Sequence, residues 1–508
     1  VHRLVHLATR NWLRSEDKLG YWTGIAGQRL AQMLPGYAHE NIPIWRCYRP
    51  HALSILHSEE FQVKTQDREK IAQIVGQYLY SDGRYREAEI LLNETLEKKS
   101  QILEDDDPEI LSSMEWVAGA LWKQGKWKEA EDMELRLIDV RSRMRGAEQT
   151  EILSSIANLA STYMNLGRYA QAEQLEVVLL DRFESAFGPG HQKTLTSMSN
   201  LASTYRNQGK WKEAEELELR VMRTRKARLG PDHPSTVRSM SNLAAIYMDQ
   251  GRWTEAEELV TQALEASNAV LGNEHPDVLS TMGNLASIYR QQGRWLEAEQ
   301  LELRVMKESI SSLGLEHPNT LTSMANLAST YRSQERWGEA EKLELQVTKM
   351  LESVLGPEHP IALRSLGNLA STYRSQKRWD ESQELDLRVN NAFQSIFGPE
   401  HPDTLTSMHN LACTYRYQGL FQKAEELEVK VLEVRRHLLG LDHPDTFSSM
   451  WNLSRTWKGQ EKSDDAIMLL KECLAMQDHR LGPTHPDTVA ARADLNAWQS
   501  ACCSHELT

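Results

Sequence analysis

Residues 194–234 read TLTSMSNLASTYRNQGKWKEAEELELRVMRTRKARLGPDHP. Leu195, Met198, Leu201, Ala202 and Tyr205 fall at helical spacing and form one apolar stripe. Gly209 interrupts it, as glycine does at a left-handed helix end. A second stripe follows in Trp211, Ala214, Leu217, Val221 and Met222, and Gly230-Pro231 stops it after Leu229. Asp232-His233-Pro234 then opens another helix, because proline suits a first turn where its missing N–H has no partner to lose. The unit is a helix A, a tight turn, a longer helix B and a proline-capped loop.

This unit recurs. His233-Pro234, His275-Pro276, His317-Pro318, His359-Pro360, His401-Pro402, His443-Pro444 and His485-Pro486 follow one another at steps of 42 residues, and asparagine keeps that step from Asn158 to Asn452. A fixed period of this length marks a solenoid, in which each unit buries its apolar face by stacking on its neighbours. Alanines at Ala202, Ala244 and Ala286 on helix A, and at Ala214, Ala256 and Ala298 on helix B, let backbones approach closely. Rings at Trp127, Tyr169, Trp211, Trp253, Trp295, Trp337, Trp379 and Phe421 are expected as core wedges. The pattern predicts ten helix pairs over 68–481, a capping helix over 487–499 and a disordered tail over 500–508. The outer pairs drift: Trp116 stands where asparagine is due, and Ser463 where the ring is due.

The Leu-Ala-x-x-Tyr of helix A, the Gly-x-Trp-x-x-Ala-Glu turn and the Leu-Gly-Pro-x-His-Pro connection resemble the tetratricopeptide repeat in the 42-residue form of kinesin light chains. The resemblance implies an all-α, right-handed α-solenoid superhelix whose A helices line a concave peptide groove. One departure stands out. Where such repeats place an aromatic in helix B, this chain has Glu134, Glu176, Glu218, Glu302, Glu344, Asp386 and Glu428. Their angle on helix B points them at the core, with Tyr205, Tyr289 and Tyr331 or nearby arginines as candidate partners.

Residues 1–60 carry no repeat. Helices are predicted at His2–Arg14, Tyr21–Leu34 and Trp45–His57. The stretch His-Arg-Leu-Val-His-Leu-Ala-Thr-Arg-Asn-Trp-Leu, with Glu-Asn-x-x-x-Trp-Arg and Pro-His-Ala after it, resembles the segment that joins an NB-ARC module to repeats in fungal signal-transducing NTPases related to NOD-like receptors. The P-loop of that module does not occur in these residues. The resemblance therefore implies the carboxy-terminal arm of such a receptor, with an upstream NB-ARC module in the full-length protein, or a solitary descendant of one. The opening at Val1, inside a helical pattern, agrees with missing upstream sequence. A cargo adaptor like kinesin light chain is the alternative, although residues 1–60 lack its sustained heptads.

Composition narrows the function further. Lys+Arg 58 against Asp+Glu 72 gives a net charge of -14, contrary to the basic footprint of nucleic-acid binding. Five cysteines without paired spacing suit a reducing, cytoplasmic compartment. No apolar run is long enough to span a membrane, and no signal peptide is visible. The repeated histidines come one per loop with no second ligand at close spacing, so a capping role is expected and no metal. No Gly-x-Ser-x-Gly elbow or His-Glu-x-x-His occurs, and no enzyme activity or cofactor is expected.

The candidate site lies on helix A. Thr196, Asn200, Ser203 and Asn207 are spaced four, three and four, which puts them on one stripe. The stripe repeats through Asn242, Asn284, Asn326, Asn368 and Asn410, with Ser287 and Ser329 beside it. Solvated helix faces favour Glu and Lys, so amides and hydroxyls in register point to hydrogen bonding with a polypeptide backbone. Arg206, Arg290, Arg332, Arg374 and Arg416 flank the stripe and are candidates to hold acidic side chains. Equally, the asparagines could bond the neighbouring repeat and hold the superhelix in shape.

Overall fold

The computed structural model describes residues 3–34, 42–56, 58, 65–144, 149–273 and 275–505. Those residues form an α-solenoid. Three helices come first: α1 (Arg3–Ser15), α2 (Leu19–Met33) and α3 (Ile42–Leu56). Five A/B pairs follow: α4 (Thr65–Ser81) with α5 (Tyr85–Lys99), α6 (Pro108–Lys123) with α7 (Trp127–Arg143), α8 (Gln149–Asn165) with α9 (Tyr169–Phe187), α10 (Gln192–Asn207) with α11 (Trp211–Leu229), and α12 (Pro234–Asp249) with α13 (Trp253–Leu271). Five more are α14 (Pro276–Gln291) with α15 (Trp295–Leu313), α16 (Pro318–Ser333) with α17 (Trp337–Leu355), α18 (Pro360–Ser375) with α19 (Trp379–Phe397), α20 (Pro402–Tyr417) with α21 (Phe421–Leu439), and α22 (Pro444–Gly459) with α23 (Ser463–Arg480). A last helix, α24 (Pro486–His505), packs Ala491 and Leu495 against Leu470 and Leu474. It overruns the predicted capping helix and enters the stretch expected to be a disordered tail. No glycine or proline follows Pro486 to stop it.

The chain divides into two compact units, Val1–Thr162 and Tyr163–Thr508. In the first, α2 and α3 do not stand apart from the repeats. Leu30, Leu34, Trp45 and Leu56 share one core with Ile71, Val75 and Tyr78, and Trp45 stacks on Tyr78 at 4.1 Å between ring centres.

The local chemistry of the second unit follows the repeat. Nδ1 of His233 accepts the backbone N–H of Ser235 and caps α12, and the same bond caps α14, α16, α18, α20, α22 and α24 through the later histidines. The A–B turn needs a left-handed residue, with φ of 69° at Gly209. Glu335 and Lys377 adopt φ of 60° and 62° at the equivalent turns, at a cost of about 1 kcal/mol each. Neighbouring A helices touch, as α14 does α16, so A helices form the inner, concave wall. The ring series only partly fills the core. Trp127 is 8% exposed, but Trp295 is 43% exposed. Each ring starts helix B at the rim of the A–B turn, where cover has to come from outside its own pair.

That cover exists for some repeats. The Nδ1 of His443 is occupied by its cap, so Nε2 carries the proton and donates to the Asn207 carbonyl at 3.2 Å, 236 residues earlier. His401 reaches Asn165 at 2.8 Å and His485 reaches Asp249 at 3.3 Å in the same way. Arg480 donates to the Gly209 carbonyl at 3.0 Å, and the Trp211 ring stacks on His485. A Cβ at Gly209 would sit 2.8 Å from Cδ of Pro444, so glycine here serves close approach as well as positive φ. The start of α22 thus stands on the end of α10, and the start of α24 on the end of α12. Six A helices (α10, α12, α14, α16, α18 and α20) complete one superhelical turn.

Candidate peptide-binding groove

The A-helix stripe lies on the concave wall. Among the described residues, the side-chain amides of Asn200, Asn284, Asn326, Asn368 and Asn410 hydrogen-bond no other protein group. Asn242 differs: it donates to Ser199 at 3.0 Å and faces Glu218 at 3.5 Å. The neighbour-bonding role therefore occurs at Asn242, while the other five amides are left open. Ser203 and Ser329 return their hydroxyls to the carbonyls of Ser199 and Ala325, four residues back. Ser287 and Ser329 accept from Arg290 and Arg332.

The flanking arginines turn inward. Arg290, Arg332, Arg374 and Arg416 pair with Glu302, Glu344, Asp386 and Glu428 at 3.4, 3.5, 3.2 and 3.4 Å. Each also donates to the backbone carbonyl of the next stripe asparagine, Asn326, Asn368, Asn410 or Asn452. Arg206 instead pairs with Asp249. These cations are committed to the wall, because a buried carboxylate holds a guanidinium more firmly than solvent does.

The acid series is buried as its helical angle implies; Glu218 is 0% exposed. Its partners are not the tyrosines. Thr204, Thr372 and Thr414 donate to Glu176, Glu344 and Asp386 at 2.5, 2.6 and 2.6 Å, and Ser199 to Glu218 at 2.8 Å. The tyrosines lie under cations of the A–B turn: Lys210 sits 5.0 Å from the Tyr205 ring centre, Arg294 3.9 Å from that of Tyr289 and Arg336 4.2 Å from that of Tyr331. Burial pushes Glu134, Glu176 and Glu218 up to about 7, and it also raises Glu302, Glu344, Asp386 and Glu428 against the pull of their arginines.

One wall position went unread in the sequence because its residue type changes from repeat to repeat. It holds Ser199, Ser241, Gly283, Ala325, Gly367, His409 and Trp451. Above Gly283 and Gly367 there is open space, and a recess of about 360 Å³ lies against Gly283, Ser287 and Val305. His409 and Trp451 fill the equivalent space further on. Burial lowers the His409 imidazole to about 4, so it is neutral near pH 7.

Profiles of the tetratricopeptide repeat match residues 75–109, 152–193, 194–235, 235–307, 320–361, 361–437 and 446–487. The chain belongs to the tetratricopeptide-repeat proteins. A putative kinesin light chain with nearly identical TPR-like repeats from Podosopora anserina is 34% identical, covering 40% of this chain and 97% of that one, with a TM-score of 0.35. BtubC (BKLC) from P. vanneervenii is 19% identical over 44% of this chain and 92% of its own, with a TM-score of 0.38. A nucleotide-binding leucine-rich repeat (NLR)-like protein of Hyaloscypha variabilis is 37% identical over 115 residues, which are 22% of this chain and 12% of that protein. The match thus spans about one eighth of that relative's length. A tetratricopeptide array is a protein–protein interaction scaffold, and the concave wall is its candidate contact face. Among the described residues no group of three metal-ligating side chains converges, and no helix is long and apolar enough to cross a membrane.

Proposed function

We propose that this chain is the sensing or autoinhibitory arm of a fungal NLR-like (STAND) receptor, and that its concave wall grips a polypeptide backbone. The observation that carries the groove is the row of open amides at Asn284, Asn326 and Asn368. An amide offers both a donor and an acceptor, which matches a peptide group. The likeness to an NLR-like protein supports the receptor setting.

Asn284→Ala, Asn326→Ala and Asn368→Ala together test the groove against a peptide selected from a linear displayed library. Each lost bond removes about 0.5–1.5 kcal/mol, so affinity should fall at least tenfold with the melting temperature unchanged. Unchanged affinity would end the groove reading. The kinesin-light-chain-like adaptor remains the second reading, favoured by the 34% identity to a putative kinesin light chain. Transcript sequence upstream of Val1 decides between them: a P-loop supports the receptor, and heptads support the adaptor.

A further inference from the structure

Gly283 and Trp451 hold the same position of helix A, four repeats apart. The later side chain shows what the recess at the earlier one can take. Trp451 packs against the apolar clusters that contain Phe447, Cys473 and Ala491, and its ring N–H donates to Asp494 on α24 at 2.9 Å. At the same step, Leu279, Val305, Ser323 and Asn326 line the recess beside Gly283. Leu279 and Val305 are buried and make an apolar floor. Asn326 stands where Asp494 accepts the indole proton, and its amide oxygen can accept one in turn. A Cβ on Gly283 would meet nothing within 4 Å, and the recess holds about 360 Å³.

Size and charge narrow the ligand. An apolar cavity of roughly 150 Å³ takes up benzene, so a fused bicyclic ring with a small substituent fits here. Sites that bury small molecules begin at about 300 Å³. None of the described residues lining the recess carries a formal charge, so an ion inside it would lack a counter-charge. Asn284 and Thr322 at its edge are solvent-exposed, which leaves a way in. Gly367 repeats much of this frame, but Arg364 stands there in place of Ser280 and brings a charge to the edge.

We propose that the recess at Gly283 binds a free, uncharged aromatic small molecule of indole's size, seated between α14 and α16 with its ring N–H on Asn326. Recognition is by ring shape, apolar floor and one hydrogen bond, and it requires no polypeptide ligand.

Titration of the full chain with indole, followed by calorimetry and by melting temperature, tests the site. Indole should bind saturably and raise the melting temperature. 1-Methylindole fills the same space without the donor and should bind about two- to tenfold more weakly. Asn326→Leu should erase that preference. Gly283→Trp places at this position the side chain that α22 carries, and should abolish binding without lowering the melting temperature. N-acetyltryptophanamide presents the same ring on a peptide backbone and should bind no better than indole. Tighter binding of that compound would overturn the free ligand and assign the recess to a partner's side chain. Absence of saturable indole binding, or binding that survives Gly283→Trp, would overturn the site, and neither result touches the triple-asparagine test of the groove. If Gly283→Trp melts early, the indole and 1-methylindole comparison in the unaltered chain and in Asn326→Leu still decides.

Discussion

Thr372 donates its hydroxyl hydrogen to the buried carboxylate of Glu344 at 2.6 Å, reaching from helix A of one repeat into helix B of the repeat before. Thr204 with Glu176 and Thr414 with Asp386 make the same bond. These three junctions between neighbouring repeats are thus fastened by a polar bond inside an apolar contact. There it is strong, and expensive to leave half made. A neutral acid can share such a bond without a counter-ion, whereas an ionised one needs the arginine that only some repeats supply.

Glu176 has no such arginine, since Met164 takes the place held by Arg290 in its own repeat. It keeps its proton to about pH 7 in the fold but ionises near 4.5 when unfolded. The folded chain therefore binds more protons across that window, and the site contributes stability that falls as pH rises from about 4.5 to 7. Glu176→Gln should match the parent near pH 4.5 and exceed it by about 1–3 kcal/mol near pH 8. Urea denaturation at the two pH values checks this. A gap that does not change with pH would refute it.

Glu302→Leu should be tolerated better than Glu302→Ala. Leucine refills the site, and Arg290, about one-fifth exposed, can swing out to water. Alanine leaves a cavity as well, for a loss of roughly 2–4 kcal/mol. Chemical denaturation of both variants measures the difference. Near-zero effects for both would show that the acid is solvated.

Trp127→Ala should cost about 3–5 kcal/mol, as a buried ring leaves a void that packed helices cannot close. Trp295→Ala should cost less than half of that, because much of its surface already faces water. Thermal melting of the two variants side by side is sufficient. Equal losses would mean that the rim of α15 is covered in solution.

His443→Asn should lower stability by about 0.5–1.5 kcal/mol, the worth of one hydrogen bond, while His233→Asn should be nearly neutral. Asparagine caps both helices, so only the bond to the Asn207 carbonyl separates them. Hydrogen exchange should show the loss of protection at the end of α10 as well as at the start of α22. Loss confined to α22 would reduce the contact to a local cap.

The period made the helix pairs legible, down to the proline turn and the capping histidine, because those rules act within a few residues. The burial of the acid series was also legible, since an angle on a helix is a local quantity. Its partners were legible only in part: nearby arginines do pair with four of the acids, but the threonines were hidden. A threonine 28 residues ahead can be aligned with a glutamate only once the stacking of repeats is known. Nor was the direction of Arg332, whose long side chain reaches either the groove or Glu344 from one backbone position. The exposure of Trp295 was hidden for a further reason. Trp211 and Trp295 have the same local sequence signature, yet one ring meets His485 and the other meets water. That difference depends on superhelical pitch, the sum of many small rotations that no sequence window contains.

The junction between turns joins unlike surfaces, an A–B turn below and a proline loop above. A contact of that kind is not self-limiting: repeated between molecules, it would build an open fibre. Glycine makes the lower surface receptive at Gly167, Gly209 and Gly251, where a Cβ would collide with the proline above. Among the described residues, the turns at Gly293, Glu335, Lys377, Gly419 and Glu461 carry no loop, and three of these five bear a charged side chain at the point where seating a loop requires none. A charged side chain at Glu335 or Lys377 would hinder such seating, and Glu335→Gly with Lys377→Gly should make the chain more stable and more prone to polymerise at once.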